Sequence, residues 1–307
     1  MRWIADHLPE KQVVRFLKGV QSMNKKKTYS TWFLVPAMAI FIIFFMVPMV
    51  LSLLFSLTVW NFNGFTFCGL DNFVMFFKEA SLRIGIRNSL VYAVLTCGFK
   101  LTISFFIALF LTSKIKTKTI QRSIVFFPNL VSTVAVGIIF KALMHPSKGL
   151  INKALEAIGI NGPDWLGNVK LALFSVAAVD VWKGLSIATV IFIAGIQSID
   201  KTYYEAAMVD GANFWQRLVN ITIPLSRSAM NSIIILSFIG GLRSFDLIWA
   251  MTGGGPGFAT DVMASIIYKQ YAAGYYGLST AGNVIMFVVI AVIAFPLQKW
   301  LLSKEVE

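Results

Sequence analysis

Five ionisable side chains interrupt long apolar runs: Lys100, Asp180, Lys183, Arg243 and Asp246. A charge inside a bilayer is costly, so each is a candidate for function. Carboxylates accept hydrogen bonds, a guanidinium donates them, and an indole face stacks on a ring. Asp180, Arg243 and Asp246, together with Trp182, could therefore line a cavity and hold the hydroxyl groups of a polar solute. The same charges could instead pair between helices, Lys100 with Asp180 or Arg243 with Asp246. Lys141 sits near the end of its run, where its stem can lie along apolar surface while its head reaches water. Covalent chemistry is not indicated. His7 and His145 lie outside the apolar runs, and no Ser/His pair, paired aspartates or metal-ligand spacing stands out in them. Cys68 and Cys97 make neither a disulfide framework nor a metal site. No G-x-x-x-x-G-K-[ST] pattern appears. The Gly-Gly-Gly-Pro-Gly run at 253–257 lacks the following lysine and is expected to be a sharply bending, adaptable loop.

The elements that must carry these residues are membrane spans. Of 307 residues, 57% are hydrophobic and only 13% charged, about half the ~25% charge of a soluble domain. A bilayer core takes roughly 20 apolar residues per helix. Six segments qualify: 32–59, 88–112, 123–144, 171–199, 228–251 and 277–302. The expected fold is all-α and polytopic, with about six transmembrane helices. A net charge of +13 could suggest nucleic acid, but the basic residues flank apolar runs and form no stripe.

Lysine and arginine placement sets the orientation. With the N-terminus inside, 16 of the 27 basic residues fall in inner segments and seven in outer loops. Both termini and the loop at 200–226 are therefore expected in the cytoplasm. The domain reading is an N-terminal arm at 1–31, a membrane domain at 32–302 and a tail at 303–307. The first apolar run lies too far in, and is too long, for a cleaved signal. Residues 10–23 read either as a basic amphipathic helix on the membrane surface or as a solvated arm. In an outer loop, residues 149–159 have helical spacing and end at Gly159.

The polar stretch 203–224 (YYEAAMVDGANFWQRLVNITIP) is the exception among these spans. Asp200 can cap a helix start, Gly211 supplies a turn where positive φ is cheap, and Asn213 with Gln216 makes a variant capping box. Two short helices hinged at Gly211 are expected, with Phe214, Leu218 and Ile221 on one face of the second and Pro224 at its end. Ala206 and Ala207 offer a small surface flanked by Tyr203, Tyr204 and Met208, which suits either docking of a soluble partner or packing against the chain's own spans.

Glu205-Ala206-Ala207, then Asp210-Gly211-Ala212, then Ile221-x-Ile223-Pro224 resemble the EAA signature of ATP-binding-cassette (ABC) importer permeases: EAA, three residues, G, nine residues, I-x-L-P. Only Ile223 departs, standing where leucine is usual. Phe245-Asp246-Leu247-Ile248 with the 252–257 run, Trp182-Lys183-Gly184, the 194–199 stretch, Asn88-Ser89 and the pair Pro36 and Pro48 are similar to the maltose and multiple-sugar group. The resemblance spans about residues 30–302. Leu185 and Ser228 occupy places where that group often has proline.

The resemblance implies a type I ABC importer permease fold in a prokaryotic inner or plasma membrane. It implies a second homologous permease completing a heterodimeric pore, and two ATPase subunits that bind ATP and Mg, with no cofactor on this chain. An extracytoplasmic binding protein would deliver a sugar or oligosaccharide. The coupling role would fall on Tyr204, Glu205, Ala206, Ala207, Asp210, Gly211 and Ala212, and the substrate pathway on Asp180, Trp182, Arg243 and Asp246. The chain would itself be no enzyme. The same architecture could carry another solute such as glycerol phosphate, although the embedded charges are mixed rather than basic. A secondary transporter needing no ATPase would leave the EAA loop unexplained.

Overall fold

The structure is a computed structural model that describes residues 31–60, 64–113 and 117–305. The expectations for the N-terminal arm fall outside those residues. The chain divides into two compact units, Met1–Leu51 and Ser52–Glu307. Among the described residues four helices are long and apolar enough to cross a membrane: α1 (Trp32–Ser56), α3 (Ala80–Thr112), α7 (Ala172–Gln197) and α13 (Tyr276–Leu302). Two bent pairs raise the count to as many as six. In the first pair α4 (Lys118–Leu130) meets α5 (Thr133–Leu143) at 96°. In the second α9 (Phe214–Leu225) meets α10 (Arg227–Leu242) at 64°. The remaining helices are short: α2 (Asp71–Lys78), α6 (Leu150–Ala157), α8 (Lys201–Val209), α11 (Asp246–Thr252) and α12 (Met263–Ala272). A hairpin of two three-residue strands, β1 (Thr58–Trp60) and β2 (Phe65–Phe67), is added to the helices, with Thr58 opposite Phe67.

Helix α6 is the outer-loop helix expected at 149–159, and Gly159 after it takes φ +79. Helix α3 begins eight residues before the predicted 88, because its first turns carry Arg83 and Arg87 and project past the apolar stretch. The bend between α4 and α5 follows from Pro128, which has no N–H to donate, and from Val131, whose backbone is extended. The carbonyls at the break find partners on α7. Lys183 Nζ donates to Val131 O at 2.8 Å, and Ser186 Oγ donates to Val125 O at 2.8 Å. Lys183 is thus tied to backbone carbonyl, the kind of partner an embedded cation requires.

Helix α3 packs against α7 and α10 in the second unit. Gly241 brings α10 onto α3: a Cβ there would lie 2.6 Å from Ala93 Cα. Three buried clusters result. One joins Tyr92, Val136, Val176, Val179, Leu247 and Met251 of α3, α5, α7 and α11. A second joins Phe105, Leu111, Phe192, Leu218 and Ile233 of α3, α7, α9 and α10. The third gathers Phe76, Leu82, Met263, Ile266 and Leu278 of α2, α3, α12 and α13. The second cluster includes Leu218, a residue from the polar loop.

The fifth predicted span is where the structure departs from expectation. Helix α10 stops at Leu242, Arg243 to Phe245 turn out of it, and α11 starts afresh at Asp246. Arg243 and Asp246 therefore do not share a helical face.

Candidate coupling loop and translocation residues

Asp200 starts α8 by accepting the Thr202 backbone N–H at 3.0 Å. That N–H and the Thr202 hydroxyl hold the Asp200 carboxyl below the usual carboxylate range, so the cap is ionised at neutral pH. Helix α8 closes on Asp210, and Gly211 then takes φ +77. The Ala212 N–H donates to Ala207 O at 2.8 Å, wrapping the helix end. Asn213 and Gln216 form the reciprocal capping box, at 2.7 and 2.9 Å. Two short helices hinged at Gly211 are what the capping residues predict.

The second helix differs in one respect. Residues Leu218–Thr222 form a π turn, which advances the helix face by an extra residue. Leu218 and Thr222 are buried as a result, whereas Phe214 is 56% and Trp215 64% exposed. Phe214 therefore does not share the buried face of Leu218. The Tyr204 hydroxyl turns inward to Thr222 Oγ1 at 3.0 Å and braces α8 against α9. Glu205, Ala206, Asp210 and Gly211 are exposed, and Ala207 and Ala212 half-buried. Beside them Tyr203, Met208, Val209, Phe214 and Trp215 all present apolar surface. Exposed apolar side chains clustered in sequence on a polar loop are candidates for an interaction surface. Leu218, from the same loop, is buried in the cluster that also holds Phe105 and Leu111 of α3 and Phe192 of α7, so the loop is packed onto those two helices.

The embedded charges are arranged differently from a shared cavity. Lys100 Nζ lies 2.9 Å from Asp180 Oδ2, with side chains 10% and 23% exposed. Gly184 makes room for this pair, since any side chain there would overlap the end of Lys100. Trp182 instead faces an apolar groove with Leu95, Phe99 and Phe174, its ring 5.3 Å from Phe140. Two residues along a helix point to opposite sides, which separates Trp182 from Asp180. Arg243 and Asp246 are both exposed, and no ion pair joins them among the described residues.

One buried charge escaped the sequence reading. Asp261 is fully buried and takes Lys269 Nζ on both oxygens, at 2.9 and 2.6 Å, and the Ser265 hydroxyl at 2.7 Å. The i, i+4, i+8 spacing of Asp261, Ser265 and Lys269 was the available signal. This triad packs against Gly254, where a Cβ would overlap the carboxylate. Asn88 Nδ2 reaches the carbonyls of Ala259 and Asp261 at 3.1 and 2.9 Å, and Ser89 Oγ accepts the Met263 N–H at 3.0 Å. The glycine-rich loop is therefore fastened to α3. Asp261→Asn is expected to lower stability by about 3 kcal/mol, the lower end for breaking a buried pair because Lys269 also reaches water. A thermal midpoint unchanged in detergent would refute that.

Comparison with known proteins places the chain in a class. The family model of the binding-protein-dependent transport system inner membrane component matches residues 100–305, and the chain belongs to that family. It is 31% identical to the trehalose/maltose transport system permease protein MalF of Thermococcus litoralis, over 73% of this chain and 76% of the relative. It is 29% identical to the multiple sugar-binding transport system permease protein MsmF of Streptococcus mutans, over 91% and 97%. Among solved structures, a chain of a bacterial ABC transporter that imports the acidic polysaccharide alginate aligns with TM-score 0.78 at 23% identity, over 94% and 98%. The last is a likeness of fold. The protein is a multi-pass permease of an ABC importer.

Proposed function

We propose that this chain is one half of the pore of an importer for a sugar or oligosaccharide. A second, homologous permease completes the pore, and an extracytoplasmic binding protein delivers the cargo. The loop at 200–226 seats on one of two ATPase subunits, which bind ATP and Mg. Both termini and that loop face the cytoplasm. The observation that carries the reading is the loop itself: Glu205, Ala206, Asp210 and Gly211 exposed beside an apolar patch, with Leu218 anchored among the spans. The names of the relatives, trehalose/maltose and multiple-sugar systems, support a carbohydrate cargo.

In this reading ATP-driven closure of the ATPases displaces α8 and α9 as a unit, held together by the Tyr204–Thr222 bond. Leu218 then moves the ends of α3 and α7 that it packs against. The permease performs no bond chemistry; its residues bind, orient and transmit. The test is to reconstitute the complex with its binding protein and screen sugars for stimulation of ATP hydrolysis. One class of sugar is expected to stimulate. A complex that purifies with no ATPase, or that answers to glycerol phosphate and no sugar, overturns the reading.

A further inference from the structure

A second site lies at the end of the spans that bears the 200–226 loop. A pocket of about 310 Å³ opens there between α3, α4 and α7, at the lower edge of the range for small-ligand sites. Its polar side carries Arg122, Ser123 and Thr189. Arg122 Nε and Nη2 are buried and have no hydrogen-bond partner among the described residues. Thr189 is 1% exposed, and its hydroxyl is likewise buried without a partner. The rest of the lining is largely apolar, with Leu111, Phe126 and Ile193.

Buried polar groups are normally hydrogen-bonded, and an unpaired buried cation is the costliest exception. Two N–H groups of one guanidinium presented together match the paired oxygens of a phosphate. The Thr189 hydroxyl adds a donor for a third oxygen. An apolar helix laid over the pocket would leave these groups unpaired. Thr189 lies eight residues, or about two turns, inside the end of α7 at Gln197. That depth suits a headgroup with acyl chains running along the apolar lining. Basic pockets between spans at a cytoplasmic surface take anionic lipid in this way.

We infer that Arg122, Ser123 and Thr189 form a binding site for the phosphate of an anionic phospholipid in the leaflet next to the coupling loop. The site joins α4, whose break Lys183 and Ser186 hold, to α3 and α7, against which Leu218 packs. Bound lipid would tie the three helices at the end where closure begins.

The experiment uses the assembled importer, purified in detergent and washed free of lipid. Phosphatidylglycerol, phosphatidylcholine and inorganic phosphate alone are added separately. Lipid retention is read by native mass spectrometry and stability by tryptophan fluorescence. Phosphatidylglycerol is expected to bind and to raise the thermal midpoint. Arg122→Gln is expected to weaken its retention roughly fivefold, the worth of one basic side chain near an anionic surface. Arg122→Lys keeps the charge but loses the paired N–H groups, so it is expected to bind less than the parent and more than Arg122→Gln, and Thr189→Val loses a smaller share. These milder variants keep the test informative if Arg122→Gln assembles poorly. Equal retention in Arg122→Gln and the parent, or phosphatidylcholine held as tightly, overturns the site. Stabilisation by inorganic phosphate alone overturns the lipid as its source.

Discussion

Gly211→Pro is expected to leave the permease in the membrane and to abolish stimulation of ATP hydrolysis by cargo. Proline fixes φ near −65°, and Gly211 sits at +77. The substitution also removes the Gly211 N–H that donates to Met208 O at 3.1 Å. The hinge between α8 and α9 must therefore open, and the Tyr204–Thr222 brace cannot form with both helices in place. Gly211→Ala separates backbone strain from crowding. No atom lies within 4 Å of a Cβ there, so its cost is the left-handed backbone alone, about 1–2 kcal/mol. Alanine should then lower coupling partially where proline eliminates it. The spans do not depend on this turn, so insertion and yield should match the parent. Full stimulation in the proline variant would dismiss the loop as the coupling element.

That turn was readable because its determinants are local. Asp200, Gly211, Asn213 and Gln216 act within four residues of themselves, and the apolar runs of α3, α7 and α13 need only length. What escaped depends on neighbours distant in sequence. The run at 228–251 is apolar enough for one helix, yet it breaks at 243–245. There Gly240 and Gly241 weaken the helix, and Phe245 stacks on Trp249 at 5.6 Å and lies tilted against Tyr268 at 5.2 Å. The π turn at Leu218–Thr222 likewise serves tertiary packing, because it buries Leu218 and Thr222 together. Lys183 reads from the sequence only as an embedded charge, because its partner is a carbonyl 52 residues away. Asp261 lay in a loop read only for its glycines.

Removing one member of the Lys100–Asp180 pair is the other change with a large expected effect. Lys100 is largely buried, and Asp180→Asn would leave its charge without a counter-ion. Breaking such a pair costs about 3–5 kcal/mol, enough to lower the amount of folded permease sharply. Lys100→Met should act similarly by stranding the carboxylate. The double variant, Lys100→Met with Asp180→Asn, removes both charges and is expected to recover most of the stability, since an apolar replacement of a buried pair is often neutral. Uptake in the double variant then decides between the two readings of Asp180. A pair that only joins α3 to α7 predicts that transport returns along with stability. A well-folded double variant that still fails to import, or imports with a changed concentration dependence, would mean that Asp180 touches the cargo and that Lys100 sets its orientation. The pocket of about 150 Å³ beside Lys100, bounded by Ser237 and Gly240 of α10, gives the second outcome a physical route. The enclosed geometry of the ion pair and the room Gly184 makes for it favour the first.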